Sequence, residues 1–328
     1  IVSMNKILQL SLLSLSLLVT LIPEGTIFSQ IKVKGTPLKI AGGSEEVRMS
    51  PAWSPDGNML AFSGANYKGI YVKDLKTEKI SVLTSEPSAG YGLKWSSDSK
   101  SILARVAKYK GVDRTNAVKI FDVKTKKANQ LTPFRSLMPA TPQWGNNDQS
   151  VCLYSRGKLE IFKSGKKAGA AANSRKKNLV LLKDDKLASA DAITGKLISM
   201  DPVKGSRYLN PEVSPDGSKI TFEVIGGNMY VMNADGSGLT DLGKGYRPQW
   251  SPDSKYIVYM ITEDDGHEFT SADIYVIKAD GTSKQNLTSS QDKLEMNPVW
   301  SPDGSRIAFD DYKNGSVYVI EISRQGEE

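Results

Sequence analysis

One short phrase, Pro-x-Trp-Ser-Pro-Asp-Gly, recurs along almost the whole chain and limits the fold more than any other feature. It stands as Pro51-Ala52-Trp53-Ser54-Pro55-Asp56-Gly57, weakens to Leu93-Lys94-Trp95-Ser96-Ser97-Asp98-Ser99 and Pro142-Gln143-Trp144-Gly145-Asn146-Asn147-Asp148, and returns at 211–217, 248–254 and 298–304. Proline presets φ for a turn, Asp bonds its own backbone and Gly takes the positive φ of a tight reversal, so each copy reads as a strand running into a hairpin. An apolar β-rich run follows each, as in Met59–Phe62, Ser101–Ala104, Tyr256–Tyr259 and Arg306–Phe309. A third run and polar turn come next, seen at 70–77, 119–125, 229–236 and 274–281, and a fourth run closes the unit, as in Ile80–Thr84, Asn129–Thr132 and Gln285–Thr288. Four antiparallel strands repeated every 40 to 50 residues or so are the signature of propeller blades.

The expected fold is therefore all-β: a six-bladed β-propeller of four-stranded blades, one for each copy of the phrase. The last unit runs only through Ser316–Ile322 and lacks its fourth strand, while Thr36–Ala41 resembles one with no unit before it. An N-terminal strand should thus complete the C-terminal blade and close the ring. The interval from Trp144 to Val213 is longer than any other, so an insertion is expected in the third blade near 164–186, with a seventh, degenerate blade as the alternative.

Composition is that of an ordinary globular protein, with 39% hydrophobic and 24% charged residues. Only residues 1–29 depart from it. Lys6 precedes an uncharged apolar run, Ile7–Leu21, with Met4 as the start and cleavage near Ser29, and this reads as a secretory signal peptide ahead of a single propeller domain over 30–328. An uncleaved anchor is the alternative, although the run is shorter than the roughly 20 residues a spanning helix needs. Cys152 is the one cysteine, so there is neither a lipid-attachment cysteine near residue 29 nor an intrachain disulfide, and its place in a strand-like run makes it a small buried hydrophobe.

The net charge is +7, much of it from Lys163, Lys166, Lys167, Arg175, Lys176, Lys177, Lys183 and Lys186. No aromatic residue follows Phe162 in that stretch for a base to stack on, which argues against nucleic acid and leaves a solvated loop or a contact with an anionic envelope component.

These phrases, with Asp273–Gly281 and Asn233–Thr240, resemble the WD40-like PD40 repeats of the TolB-like propellers, over about residues 36–322. The resemblance implies a periplasmic or secreted binding scaffold for an envelope protein or a peptidoglycan-associated partner. TolB itself carries an α/β domain ahead of its propeller, and so few residues separate the apolar segment from the first unit that this domain is expected to be missing here. Fold likeness alone does not fix function.

Chemistry is sparse. No Gly-x-Ser-x-Gly elbow is present, and His267 is the only histidine, against the several that related oligogalacturonate lyases place around a metal. The expectation is a binding module with no catalytic residues, no cofactor and no metal site. The loop Asp264, Asp265, His267 and Glu268 carries oxygen donors that could hold Ca²⁺ or touch a partner, though its spacing matches no dedicated calcium loop. Residues entering the first strands, Arg48, Tyr91, Asn210, Tyr246, Arg247 and Asn297, should crowd the axial mouth and contact a partner, tyrosine and arginine being common interface anchors. Asn66–Lys68, Lys108–Lys110, Arg114 and Asp310–Lys313 are expected on the same face. The alternative from another class is a carbohydrate-active lyase or hydrolase using mouth carboxylates such as Glu212 and Asp264.

Overall fold

A computed structural model describes residues 30–167 and 178–325. The expected signal peptide over 1–29 lies outside them, as do residues 168–177 of the expected insertion.

Strand β1 (Gln30–Gly42) comes first. Blade 1 is β2 (Arg48–Trp53), β3 (Met59–Gly64), β4 (Ile70–Asp74) and β5 (Ile80–Thr84); blade 2 is β6 (Lys94–Trp95), β7 (Ser101–Lys110), β8 (Asp113–Asp122) and β9 (Ala128–Gln130). Blade 3 is β10 (Gln143–Gly145), β11 (Ser150–Ser155) and β12 (Lys158–Lys163); blade 4 is β13 (Asn178–Lys183), β14 (Lys186–Asp191) and β15 (Leu197–Met200). Blade 5 is β16 (Tyr208–Val213), β17 (Lys219–Val224), β18 (Met229–Asn233) and β19 (Thr240–Gly243); blade 6 is β20 (Tyr246–Trp250), β21 (Tyr256–Asp264), β22 (Phe269–Lys278) and β23 (Gln285–Asn286). Blade 7 is β24 (Glu295–Trp300), β25 (Arg306–Asp311) and β26 (Ser316–Gln325), with β1 as its outer strand.

The propeller thus has seven blades, and the expected six must be corrected. The recurring phrase belongs to a first strand and the turn after it, and the described strands of blade 4 are counterparts of second, third and fourth strands. Asp191 Oδ1 accepts from the amides of Ile193 (2.8 Å) and Thr194 (2.7 Å), as Asp74 Oδ1 does from Lys76 and Thr77 (both 2.9 Å) in the turn joining third to fourth strand of blade 1. Counting phrases therefore undercounts blades by one. Ring closure is as expected: β1 pairs antiparallel with β26, from Gln30 opposite Gln325 to Gly42 opposite Ser316.

Each part of the phrase has a visible task. Ser54 Oγ, on a fully buried residue, donates to Asp56 Oδ1 (2.6 Å) and accepts from the Met59 amide (2.9 Å), locking the hairpin; Ser96, Ser214, Ser251 and Ser301 each repeat the bond to Asp two residues on. The tryptophans link blades. Trp95 Nε1 donates to Ala52 O (3.0 Å), Trp144 Nε1 to Lys94 O (3.0 Å) and Trp250 Nε1 to Glu212 O (3.2 Å), in each case the carbonyl one residue before the equivalent position of the preceding described first strand.

Departures from the phrase are also structural. Ser99, Asp148 and Ser254 replace the final Gly yet keep its positive φ (58°, 65° and 63°). Their side chains accept from turn amides of the blade before: Asp56 to Ser99 (3.0 Å), Ser97 to Asp148 (2.5 Å) and Asp216 to Ser254 (3.1 Å). Inter-blade hydrogen bonds offset the strain of a non-glycine residue there. Cys152 is buried, and desolvation raises its thiol pKa to about 11.

Candidate functional site: the axial mouth

The innermost strands surround an axial cavity of ≈ 620 Å³. The variable residue of the phrase faces it in all six copies: Ala52, Lys94, Gln143, Glu212, Gln249 and Val299. Blade 4 contributes Leu181 and Leu182. Lys94 and Glu212 reach across from blades 2 and 5 and meet at 2.9 Å, and the Glu212 carboxylate raises the Lys94 pKa. Both side chains are about a third or more exposed (42% and 31%), so the pair bars the channel without contributing much stability. A double-mutant cycle with Lys94→Ala and Glu212→Ala, read by urea unfolding, should give a coupling of about 1 kcal/mol or less.

Three residues before the tryptophan position, in every phrase-bearing blade except blade 3, the backbone of the first strand turns to positive φ. Ser50, Gly92, Asn210, Arg247 and Asn297 sit there with φ between 46° and 63°, and the strand registers shift beside Ser50, Asn210, Arg247 and Asn297. A bulge re-aims the side chains that precede it. Asn210, Arg247 and Asn297 accordingly line the cavity, with Tyr91 beside Gly92. The Tyr91 ring, 38% exposed, meets Tyr67 edge-on at 5.0 Å, and the Arg105 guanidinium lies 5.6 Å from its centre.

Arg48 and Tyr246 take other positions. Arg48 is 5% exposed, stacks 3.7 Å over the Tyr71 ring and bonds Val47 O and Glu46. Tyr246 is half-buried and packs against the core formed by blades 6 and 7. Neither lines the cavity.

A second ring of residues, of which the sequence reading named only Asp310, holds the mouth together. It stands ten residues after each tryptophan position, at Ser63, Arg105, Tyr154, Glu223, Met260 and Asp310, all buried. Each meets the next blade. Glu223 Oε1 accepts from the Arg247 amide (2.5 Å), Asp310 Oδ2 from the Ser50 amide (3.0 Å) and Met260 Sδ from the Asn297 amide (3.5 Å). Arg105 Nη1 donates to the carbonyls of Met138 (2.7 Å), Pro139 and Ala140 (3.3 Å), Tyr154 Oη donates to Asp184 (3.2 Å), and Ser63 packs so close to Gly90 that a Cβ there would overlap it. Glu223 and Asp310 also accept from Asn210 Nδ2 (2.7 Å) and Asn297 Nδ2 (2.8 Å) of their own blades. Burial raises both carboxyl pKa values, that of Asp310 to about 6. The available signal was a polar residue interrupting an apolar second strand.

The loop Asp264, Asp265, His267 and Glu268 tips the exposed β21–β22 hairpin, outside the cavity. Asp265 Oδ1 accepts from the amides of Glu268 and His267 (both 2.9 Å), bonds that lower its pKa, and Asp264 Oδ1 accepts from Gly266 (3.0 Å). These carboxylates shape the turn. Among the described residues no group of three or more His, Cys, Asp or Glu side chains could hold a metal ion. Glu212 in the channel and Asp264 on the hairpin do not converge on one site.

No protein-family model matches the chain. The curated TolB homolog of Chlorobium luteolum is 33% identical over 139 residues, 40% of this chain and 30% of that protein, so the match spans less than a third of the relative's length. Among solved structures, TolB from Acinetobacter baumannii superposes with a TM-score of 0.55 at 20% identity, covering 78% of this chain and 57% of that one. An oligogalacturonate lyase from Vibrio parahaemolyticus superposes at 0.56 with 13% identity, covering 89% and 98%, and at such identity the likeness is one of fold. A structure described as putative TolB, from Agrobacterium tumefaciens, gives 0.51 at 17% identity over 85% and 91%. In sequence and in fold, the chain is similar to TolB: a TolB-like β-propeller.

Proposed function

We propose that the chain is an exported, non-catalytic scaffold that binds an envelope protein or a peptidoglycan-associated partner at the axial mouth, in the periplasm or outside the cell. The observation that carries this reading is the rim itself, where Tyr67, Tyr91 and Arg247 border a cavity of ≈ 620 Å³. Aromatic and arginine anchors beside a preformed recess suit burial by a partner's side chains. The channel carboxylate Glu212 is held by Lys94, which suits a packed mouth better than acid–base chemistry. Export rests on Lys6 and the apolar run Ile7–Leu21, and the partner class rests on the likeness to TolB.

The test is affinity capture from envelope extract, comparing wild type with Tyr67→Ala/Tyr91→Ala/Arg247→Asn. Asn is chosen because Asn210 and Asn297 already hold the equivalent bulge position at positive φ. The variant should keep its fold by circular dichroism and lose a component that the wild type retains. Recovery of the same material by both proteins would remove the mouth from the proposal.

A further inference from the structure

Two hairpins rise above the mouth and carry opposite charge. Strands β7 and β8 stay paired to Lys110 opposite Asp113, and β21 and β22 to Asp264 opposite Phe269, whereas β17 and β18 pair only as far as Glu223 opposite Met229. Each long hairpin therefore continues four or five residues beyond the buried ring, about 15 Å at strand rise. The blade 2 hairpin exposes Lys108, Lys110 and Arg114 with one acid, Asp113; the blade 6 hairpin exposes Glu263, Asp264, Asp265 and Glu268. Both carry apolar surface beside the charge: Tyr109 and Val112 are 56% and 99% exposed, and Phe269, 40% exposed, packs edge-on against Tyr312, 60% exposed.

Their placement is symmetric. In a ring of seven, blades 2 and 6 lie two blades either side of blade 4. A two-fold axis lying in the mouth plane and passing over blade 4 exchanges them. We propose that two copies of this chain dock mouth to mouth about such an axis, the basic β7–β8 hairpin of each lying against the acidic β21–β22 hairpin of the other. One contact is thereby made twice, as an isologous dimer requires. Opposite charges set the register, and the apolar side chains lose water where the hairpins overlap.

The experiment is sedimentation velocity on the purified full chain at low and high salt. Wild type should sediment as a dimer at about 50 mM salt and shift to monomer near 500 mM, where the screening length falls to a few ångströms. Lys108→Glu/Lys110→Glu should be monomeric, and so should Glu263→Lys/Glu268→Lys. Mixing these two variants should restore a one-to-one dimer, because the unaltered acidic hairpin of one then meets the unaltered basic hairpin of the other, while Asp264 and Asp265 leave the reversed blade 6 hairpin near neutral and the second contact free of net repulsion. A wild type that is monomeric at every salt concentration overturns the proposal, as does a dimer indifferent to either reversal or a mixture that stays monomeric. A mouth-to-mouth dimer would cover the recess, so an envelope partner at the mouth would compete with the second copy; sedimentation of the purified chain reads self-association alone, and a monomeric result leaves the binding role standing.

Discussion

Trp250→Ala should lower the unfolding free energy by about 3–5 kcal/mol, read from urea or guanidinium midpoints, because it removes a large side chain from a site with little room to collapse. Trp250 is 8% exposed and packs among Met229, Val231 and Leu242 of blade 5 and Ile257 and Tyr259 of its own blade. Its indole therefore belongs to the interface between blades more than to either sheet. Trp250→Phe keeps most of that packing but removes the bond from Nε1 to Glu212 O (3.2 Å), leaving the carbonyl short of a partner. A further cost of about 1 kcal/mol is expected from that loss. Trp300 gives the contrast, since its Nε1 is buried with no hydrogen-bond partner among the described residues. Trp300→Phe removes an orphaned donor, so it should cost about 1 kcal/mol less than Trp250→Phe. Equal losses for the two substitutions would show that the indole N–H contributes nothing to holding blades together.

This arrangement explains how much the sequence could reveal. A turn locked by Ser54 and Asp56 depends on residues adjacent in the chain, so every copy of it is legible, and the strands on either side follow from it. Closure was legible because an orphan strand at one end matched a vacancy at the other, and β1 fills it beside β26. Blade 4 was legible only as the alternative to an insertion in blade 3. Its described strands carry only the Asp191 turn, a weaker signature shared with polar loops of many folds, and the phrase itself marks first strands alone.

The mouth was readable in part for a related reason. Alternation along a regular strand assigns each side chain to a face, but a bulge adds a residue and exchanges the faces of whatever precedes it. Asn210, Arg247 and Asn297 occupy the bulge and reach the cavity, whereas the residues before it divide: Arg48 and Tyr246 turn into the packing, while Tyr91 and Leu209 border the cavity. The buried ring from Ser63 to Asp310 escaped because its bonds join residues remote in sequence. Asp310 and Ser50 are 260 positions apart, and only a register between neighbouring blades brings them together.

Stability relative to Asp310→Asn should therefore depend on pH in an unusual direction. Asp310 is 2% exposed, and although the Ser50 amide and Asn297 Nδ2 both favour its ionised form, burial outweighs them and raises its pKa to about 6. A carboxyl whose folded pKa lies above its unfolded value binds protons more tightly when folded, so its contribution is fully present below pH 4 or so and is lost as pH rises through 6. A rise of about two units corresponds to roughly 3 kcal/mol at 1.36 kcal/mol per unit. Denaturant unfolding of wild type and Asp310→Asn at intervals from pH 4 to 7.5 isolates this group, because the other titrating residues are common to both. The difference should shift toward the variant by about 3 kcal/mol across that range, with its steepest change between pH 4 and 6. A flat difference would mean that Asp310 titrates as an ordinary exposed carboxyl and that the junction admits water. Asp310 sits where blade 7 meets blade 1, and its bond to Ser50 ties the C-terminal strands of blade 7 to blade 1, beside the link that the chain makes from β1 to β2. Ionisation thus places a buried charge, only partly offset by Arg247, beside the pairing of β1 with β26 that closes the ring without a covalent link, so loosening above pH 6 should begin there.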